Sequence, residues 1–248
     1  MSNVAETPDR TRRGPETPDL SDKGGVNNGQ PQRSDDRLFM QLLAFGGCAD
    51  TAPLAAALDQ AGISGVIYED LNDPRGIALL TLSQDPGVFI DRLRPVLNSA
   101  SFATLTQKPE YTMFGRTYAI GYEPDLAETL LDRPRRTVLN HDWRWSVWYP
   151  LRRSGRFAQL PAEEQRVILA EHGAIGMAFG AGDYAHDIRL ACYGLDKDDN
   201  DFVIGLIGKD LFPLSAVVQT MRKTQQTSLY LENLGPFFVG RVAWQSSR

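Results

Sequence analysis

Three histidines sit in unequal surroundings along this chain. His141 lies in the polar run Asn140-His141-Asp142, a solvated setting, and His186 precedes Asp187, where a surface pair is the plain reading. His172 differs. With Ile168, Ile175 and Phe179 it shares one stripe of a helix, since i, i+4, i+7 and i+11 fall on one face. Gly173 and Gly176 beside it leave room for something large and flat. Two readings follow from the spacing: a buried imidazole bonded to a backbone carbonyl, or the single axial donor that a haem iron requires of its protein. Structural zinc wants four ligands, and the sequence near His172 does not supply them.

The second chemical cluster is the run Trp143–Arg153. Strand alternation puts Trp143, Trp145, Val147 and Tyr149 on one face. This is either an aromatic core strand with a solvated basic exit or an aromatic wall ending in a tyrosine and two arginines, Arg152 and Arg153. Guanidinium forks suit carboxylates. Arg133, Arg135 and Arg136 upstream are a second carboxylate clamp or a basic loop. Other chemistries find little support: no GxGxxG, Walker A, GxSxG or HExxH pattern occurs. The acidic run Asp196–Asp201 lacks the glycine and terminal glutamate of a calcium loop and reads as a hairpin turn.

The elements that position these groups repeat. Leu38–Phe45, a helix from Thr51 to Gly62, Gly65–Tyr68, Gly76–Leu82, a helix over Asp85–Leu97 and Tyr111–Ile120 give the order β-α-β-β-α-β. Trp143–Tyr149, a helix from Pro161 to about Phe179, Ile188–Tyr193, Phe202–Ile207, a helix over Leu211–Thr224 and Phe237–Trp244 give it again. Each pass is a ferredoxin-like unit with one bare sheet face, and packing the two faces together buries both. The predicted fold is a duplicated α+β barrel. Its units span 37–125 and 142–248, with a linker at 126–141. Met1–Asp36 holds five apolar residues and no aromatic one, which predicts a disordered tail.

Composition narrows the setting. Twenty-six basic against 31 acidic residues give a net charge of −5, which argues against a nucleic-acid partner. No apolar run approaches the roughly 18–20 residues of a membrane span. Cys48 and Cys192 form no disulfide framework or CxxC pair, so the expected setting is the reducing cytoplasm.

Five motifs occur in order: Trp148-Tyr149-Pro150 with the arginines after it, Leu160–Arg166, Glu171–Gly176, Gly194-Leu195-Asp196 and Gly235–Gly240. In order and spacing the chain resembles the chlorite dismutase superfamily, and within it the coprohaem decarboxylases. The match runs from about Tyr149 to Gly240, and the N-terminal half matches in architecture alone. The resemblance implies a homopentamer with haem or iron-coproporphyrin III (coprohaem) held in the C-terminal unit. His172 would be the iron ligand and Tyr149 the redox-active group. Arg153 would bind a propionate and steer protons, where relatives often have lysine. Arg133, Arg135, Arg136, Arg152 and Trp145 would complete the porphyrin contacts. The implied reaction is hydrogen-peroxide-dependent: a Tyr149 radical takes hydrogen from a propionate β-carbon, carbon dioxide leaves, and two rounds give haem b.

The sequence departs from the pattern where relatives carry a distal arginine or glutamine. Counting back from Gly194 puts Asp187 there, and counting forward from His172 puts Ala185 there. His186 and Arg189 are the remaining candidates. A distal arginine would suit chlorite breakdown to chloride and oxygen, so that activity, and plain haem binding, stand as alternatives.

Overall fold

A computed structural model of the protein describes residues 17–247. It opens with a hairpin of β1 (Asp22–Asn27) and β2 (Gln30–Ser34). The first repeat comprises β3 (Phe39–Gly46), α1 (Ala52–Gln60), β4 (Gly65–Asp70), β5 (Ile77–Ser83), a π-helical turn Phe89–Leu93 continuing as α2 (Arg94–Leu97), and β6 (Thr106–Arg116). A second π-helical turn, Glu128–Asp132, runs into α3 (Arg133–Val138). The second repeat comprises β7 (Trp145–Arg153), α4 (Gly155–Ala158), α5 (Ala162–Ala181), β8 (His186–Ala191) and β9 (Phe202–Gly208). It continues through α6 (Leu211–Met221), α7 (Gln225–Tyr230) and the short β10 (Leu231–Leu234) to β11 (Phe238–Gln245). The mixed α+β fold expected from the sequence is the one observed.

Within the repeats the strand orders are β6-β3-β5-β4 and β11-β7-β9-β8, in each case fourth, first, third, second. All pairs are antiparallel. The second strand of each repeat meets the fourth of the other, β4 with β11 and β6 with β8, which closes an eight-stranded barrel. The reason lies in the strand sequences. β3 is apolar on both faces, so both must be covered. Met40, Leu42 and Ala44 turn into the barrel, where they meet Tyr68, Leu80, Trp148, Leu190, Val203 and Phe238. Trp148 is fully buried there and lies over Gly205, the position on β9 that leaves room for its ring. Each such large apolar side chain contributes about 1.5–3 kcal/mol by leaving water.

The outer faces of the two halves differ. Leu43, Phe45, Ile67 and Leu79 on the first half are sealed by Leu54 and Leu58 of α1 and by Phe89 and Leu93. On the second half, Leu214 and Val217 of α6 cover Val147, Tyr149, Leu151 and Leu206. The long helix α5 buries Ile168 alone among its 20 residues, and Ile175 and Phe179 are only partly covered.

Four expectations need correction. Residues 1–16 of the expected disordered tail lie outside the described residues, but 22–34 form the hairpin. Polar contacts rather than apolar burial hold it: Gly25 N–H donates to Glu123 O at 2.8 Å, Gln32 Nε2 to Pro124 O at 2.8 Å, and Ala119 N–H to Asp22 Oδ1 at 3.1 Å. Asn28 and Gly29 both have positive φ, the conformation a tight hairpin turn requires. The expected linker 126–141 is a helical plug whose Val138 and Leu139 join the barrel interior. The fourth strand of the first repeat ends at Arg116, not Ile120, because Ala119 and Ile120 donate their N–H groups to Asp22 and Glu123 instead of to a sheet. Finally, β10 is a strand that the sequence pattern does not announce; it adds to the end of β7.

Candidate functional site

The α5 helix begins after Pro161 with Glu163 and Glu164 in its first turn, carboxylates that favour a helix N-terminus. His172 sits midway along it, half-buried. Its Nδ1 lies 3.2 Å from Oγ1 of Thr224, the N-cap of α7. That hydroxyl has one proton, and it is donated to the Met221 carbonyl at 2.8 Å. With the proton directed to that carbonyl, the oxygen accepts from Nδ1–H, the tautomer that leaves the lone pair on Nε2. Burial holds the imidazole pKa below its usual value, and the charges of Arg153 and Arg189 push it further down. The ring is thus a neutral base with its donor nitrogen free, the form that ligates a metal.

Facing α5 is the outer side of the second-half sheet. The register sets Arg189 opposite Ile204 and Ile204 opposite Tyr149; one row along, Asp187, Leu206 and Val147 are aligned in the same way. Arg189 and Asp187 are ion-paired at 3.0 Å, with 43% of each side chain accessible. Tyr149 is 5% exposed and stacks on Phe237, ring centroids 4.6 Å apart, and Arg222 lies 6.0 Å over the other ring. Burial pushes the Tyr149 phenol pKa well up, and Asp187 adds to the effect. Arg153 points the same way as Tyr149, because both are odd members of one strand. Its guanidinium lies 5.0 Å over Phe157 and 4.6 Å over Phe202, and its buried Nε has no hydrogen-bond partner.

The structure therefore brings together His172, Tyr149, Arg153, Asp187 and Arg189. It separates others. Arg152 turns to the strand end, where it pairs with Asp199 at 2.9 Å and Glu232 at 3.6 Å. Arg136 pairs with Glu128 at 2.6 Å, and neither Arg133 nor Arg135 forms an ion pair with the group around His172 among the described residues. Trp145 flanks the same sheet face under Arg241, 6.0 Å away. Of the four distal candidates, Ala185 is buried against α5 and α6, and His186 is stacked on Trp143 at 3.6 Å and bonded to Asp183. Asp187 and Arg189 are the two that line the site. Sequence reasoning missed Thr224, 52 residues from His172, and Arg222. No spacing rule announces either.

A flat, single-donor group fits this arrangement. A Cβ added at Gly173 would meet nothing within 4 Å, and one at Gly176 only Met221 Cε at 3.6 Å. Nε2 of His172 and the buried Nε of Arg153 have no hydrogen-bond partner among the described residues; the first is a metal donor and the second a carboxylate partner. No cluster of three metal-ligating side chains occurs among the described residues, and no described helix is long and apolar enough to cross a membrane.

Residues 90–243 match the model of a family described as chlorite dismutase. No curated protein matches the chain. Among solved structures, a heme-binding protein from Thermus thermophilus is similar at 20% identity and a TM-score of 0.64, over 83% of this chain and 91% of that one. A variant chlorite dismutase from Candidatus Nitrospira defluvii in complex with cyanide is similar at 14% identity and a TM-score of 0.67, over 85% of this chain and 92% of that one. The enzyme from the same organism in complex with imidazole gives 12% identity and 0.65, over 85% and 93%.

Proposed function

The chain belongs to the chlorite dismutase family, and on that premise we propose that it binds iron-coproporphyrin III and decarboxylates two of its propionates with hydrogen peroxide, giving haem b. The supporting observation is that buried Tyr149 and Arg153 share the sheet face that the α5 helix of His172 faces, with the Arg153 charge acting on the imidazole. The name of the heme-binding structural neighbour agrees with a porphyrin ligand.

In this reading His172 holds the iron through Nε2, while Arg153 and Arg222 hold carboxylates at the porphyrin edge. The bound iron supplies the oxidising chemistry with peroxide. The chain's own part is position and proton control. Tyr149 is a neutral phenol at neutral pH, and burial disfavours its phenolate further, so it gives up a proton together with an electron. Asp187, whose charge reaches the phenol, is the carboxylate on that side. Each propionate loses carbon dioxide, two electrons and one proton as it becomes a vinyl group. For each propionate one hydrogen peroxide takes the two electrons, that proton and one more from solvent, and ends as two waters. The packed phenol and Phe237 ring keep water from the radical.

The test is a mass spectrum of the porphyrin as peroxide is added stepwise to the coprohaem complex. Two successive losses of carbon dioxide are expected, and Tyr149→Phe should bind coprohaem yet leave it unchanged. Full turnover by Tyr149→Phe would sink the proposal. Chlorite decomposition is the second reading, favoured by Arg189 on the same sheet face. It requires oxygen release from chlorite that disappears in Arg189→Ala.

A further inference from the structure

Glu171 and Thr224 divide two tasks in a way that bears on His172. A carboxylate stands next to the histidine in sequence, yet Glu171 Oε2 accepts the backbone N–H of Gln225 at 3.0 Å, at the start of α7. The ring instead receives the hydroxyl of Thr224, one residue earlier in the same turn. These two contacts, between consecutive residues on each side, staple α5 to α7 and fix the direction of the ring. Thr224 is 2% exposed, so no water competes for its oxygen. Its proton is committed to the Met221 carbonyl, and its side chain also caps the N–H of Thr227 at 3.5 Å. With the proton on the shorter, 2.8 Å contact to Met221, a lone pair of the oxygen is turned towards Nδ1.

We infer that Thr224 is a positioning residue for His172: a neutral hydroxyl acceptor at Nδ1 that fixes the ring tautomer and keeps the imidazole a weak donor to the iron. The partner of a ligating imidazole orients it and sets its basicity. A carboxylate at Nδ1 would draw the ring towards imidazolate and favour ferric over ferrous iron. A neutral hydroxyl oxygen accepts more weakly than a carboxylate and leaves the balance on the ferrous side. The inference rests on the proposed role of His172 as iron ligand.

Two measurements test it. In the apo protein, ¹⁵N shifts of the His172 ring should report the Nδ1–H tautomer, and Thr224→Val should mix the tautomers. A ring with its hydrogen on Nε2 in the native protein would overturn the inference without any porphyrin present. In the haem-loaded protein the readouts are the midpoint potential and the ferrous iron–imidazole stretch. Thr224→Asp keeps the helix cap, since aspartate caps at least as well as threonine. A purely structural role therefore predicts no change. The inference predicts at least a tenfold shift towards ferric iron, about 59 mV for one electron, with a higher stretching frequency. Thr224→Val should move both the other way, and Thr224→Ser should restore native values. Equal potentials in the Asp and Ser variants, with iron still lost from the site in His172→Ala, overturn the tuning alone. An unchanged iron spectrum in His172→Ala overturns the reading of the site together with it.

Discussion

Replacing Arg153 by methionine keeps an unbranched stem against Phe157 and Phe202 but removes the charge. The guanidinium is held over two rings, and its backbone N–H is tied to Asp201 Oδ2 at 2.8 Å, so little freedom remains to be lost when a carboxylate binds. A hydrogen bond to a charged group is worth about 1.5–3 kcal/mol, which at about 1.4 kcal/mol per decade is a loss of roughly 10- to 150-fold in porphyrin affinity. The two lost ring contacts, at about 0.5–1 kcal/mol each, should cost stability as well. At about 2–4 °C per kcal/mol for a chain of this length, the melting temperature should fall by roughly 2–8 °C. The assay is a fluorescence-quenching titration with coprohaem, haem b and a porphyrin dimethyl ester lacking free carboxylates. Arg153→Met should weaken the first most and the ester hardly at all. Equal affinity of mutant and native protein for coprohaem, or the same loss for the ester, would refute the assignment of Arg153 as a carboxylate partner.

Gly205→Ala places a Cβ 2.5 Å from Trp148 Cη2 in the barrel interior, an overpacking that should destabilise the fold by about 1–3 kcal/mol; a urea midpoint equal to that of the native protein would contradict the packing described. Removing the hairpin's grip with Asp22→Ala and Gln32→Ala should speed amide exchange across 119–126 and leave the barrel strands protected, as read by hydrogen-exchange mass spectrometry. Burial first, then Arg153 and Arg189, lowers the native pKa of His172, so the unfolded chain takes up its proton first as pH falls below about 6.5. Stability should then decline with falling pH until the native pKa is passed. Urea melts at about pH 7 and pH 5 should differ less in His172→Gln than in the native protein.

The duplicated architecture was legible because apolar alternation and turn residues recur in the same order twice. The strand face carrying Tyr149 and Arg153 follows from that periodicity. What escaped depends on partners distant in sequence. The hairpin lacks an apolar face and is held by Glu123 and Pro124, yet Asn28-Gly29 is a strong short-range turn signal that the low hydrophobicity of its surroundings masked. Among the arginines, the sequence singled out Arg153 but kept Arg152 as a further porphyrin contact. Its pairing with Asp199 and Glu232 at the strand end removes Arg152 from the site. Thr224 is invisible to any local pattern because its relation to His172 exists only once α6 has turned the chain back onto α5.

Closure of the barrel within one chain gives the duplicates separate histories. The interior is owned jointly, so each repeat relies on the other for its buried face and neither can drift there alone. The outer faces carry no such mutual obligation. The first repeat has kept a tight seal of α1 and α2, and it acts as ballast for the whole molecule. The second could loosen its cover, leave α5 nearly unburied and set charged side chains on a sheet face that a lone unit of this size would need for its own stability. Stability of the fold, as distinct from function, should follow this division, with the α5-facing Asp187 and Arg189 of β8 accepting changes of type that the buried outer surface of β4 refuses.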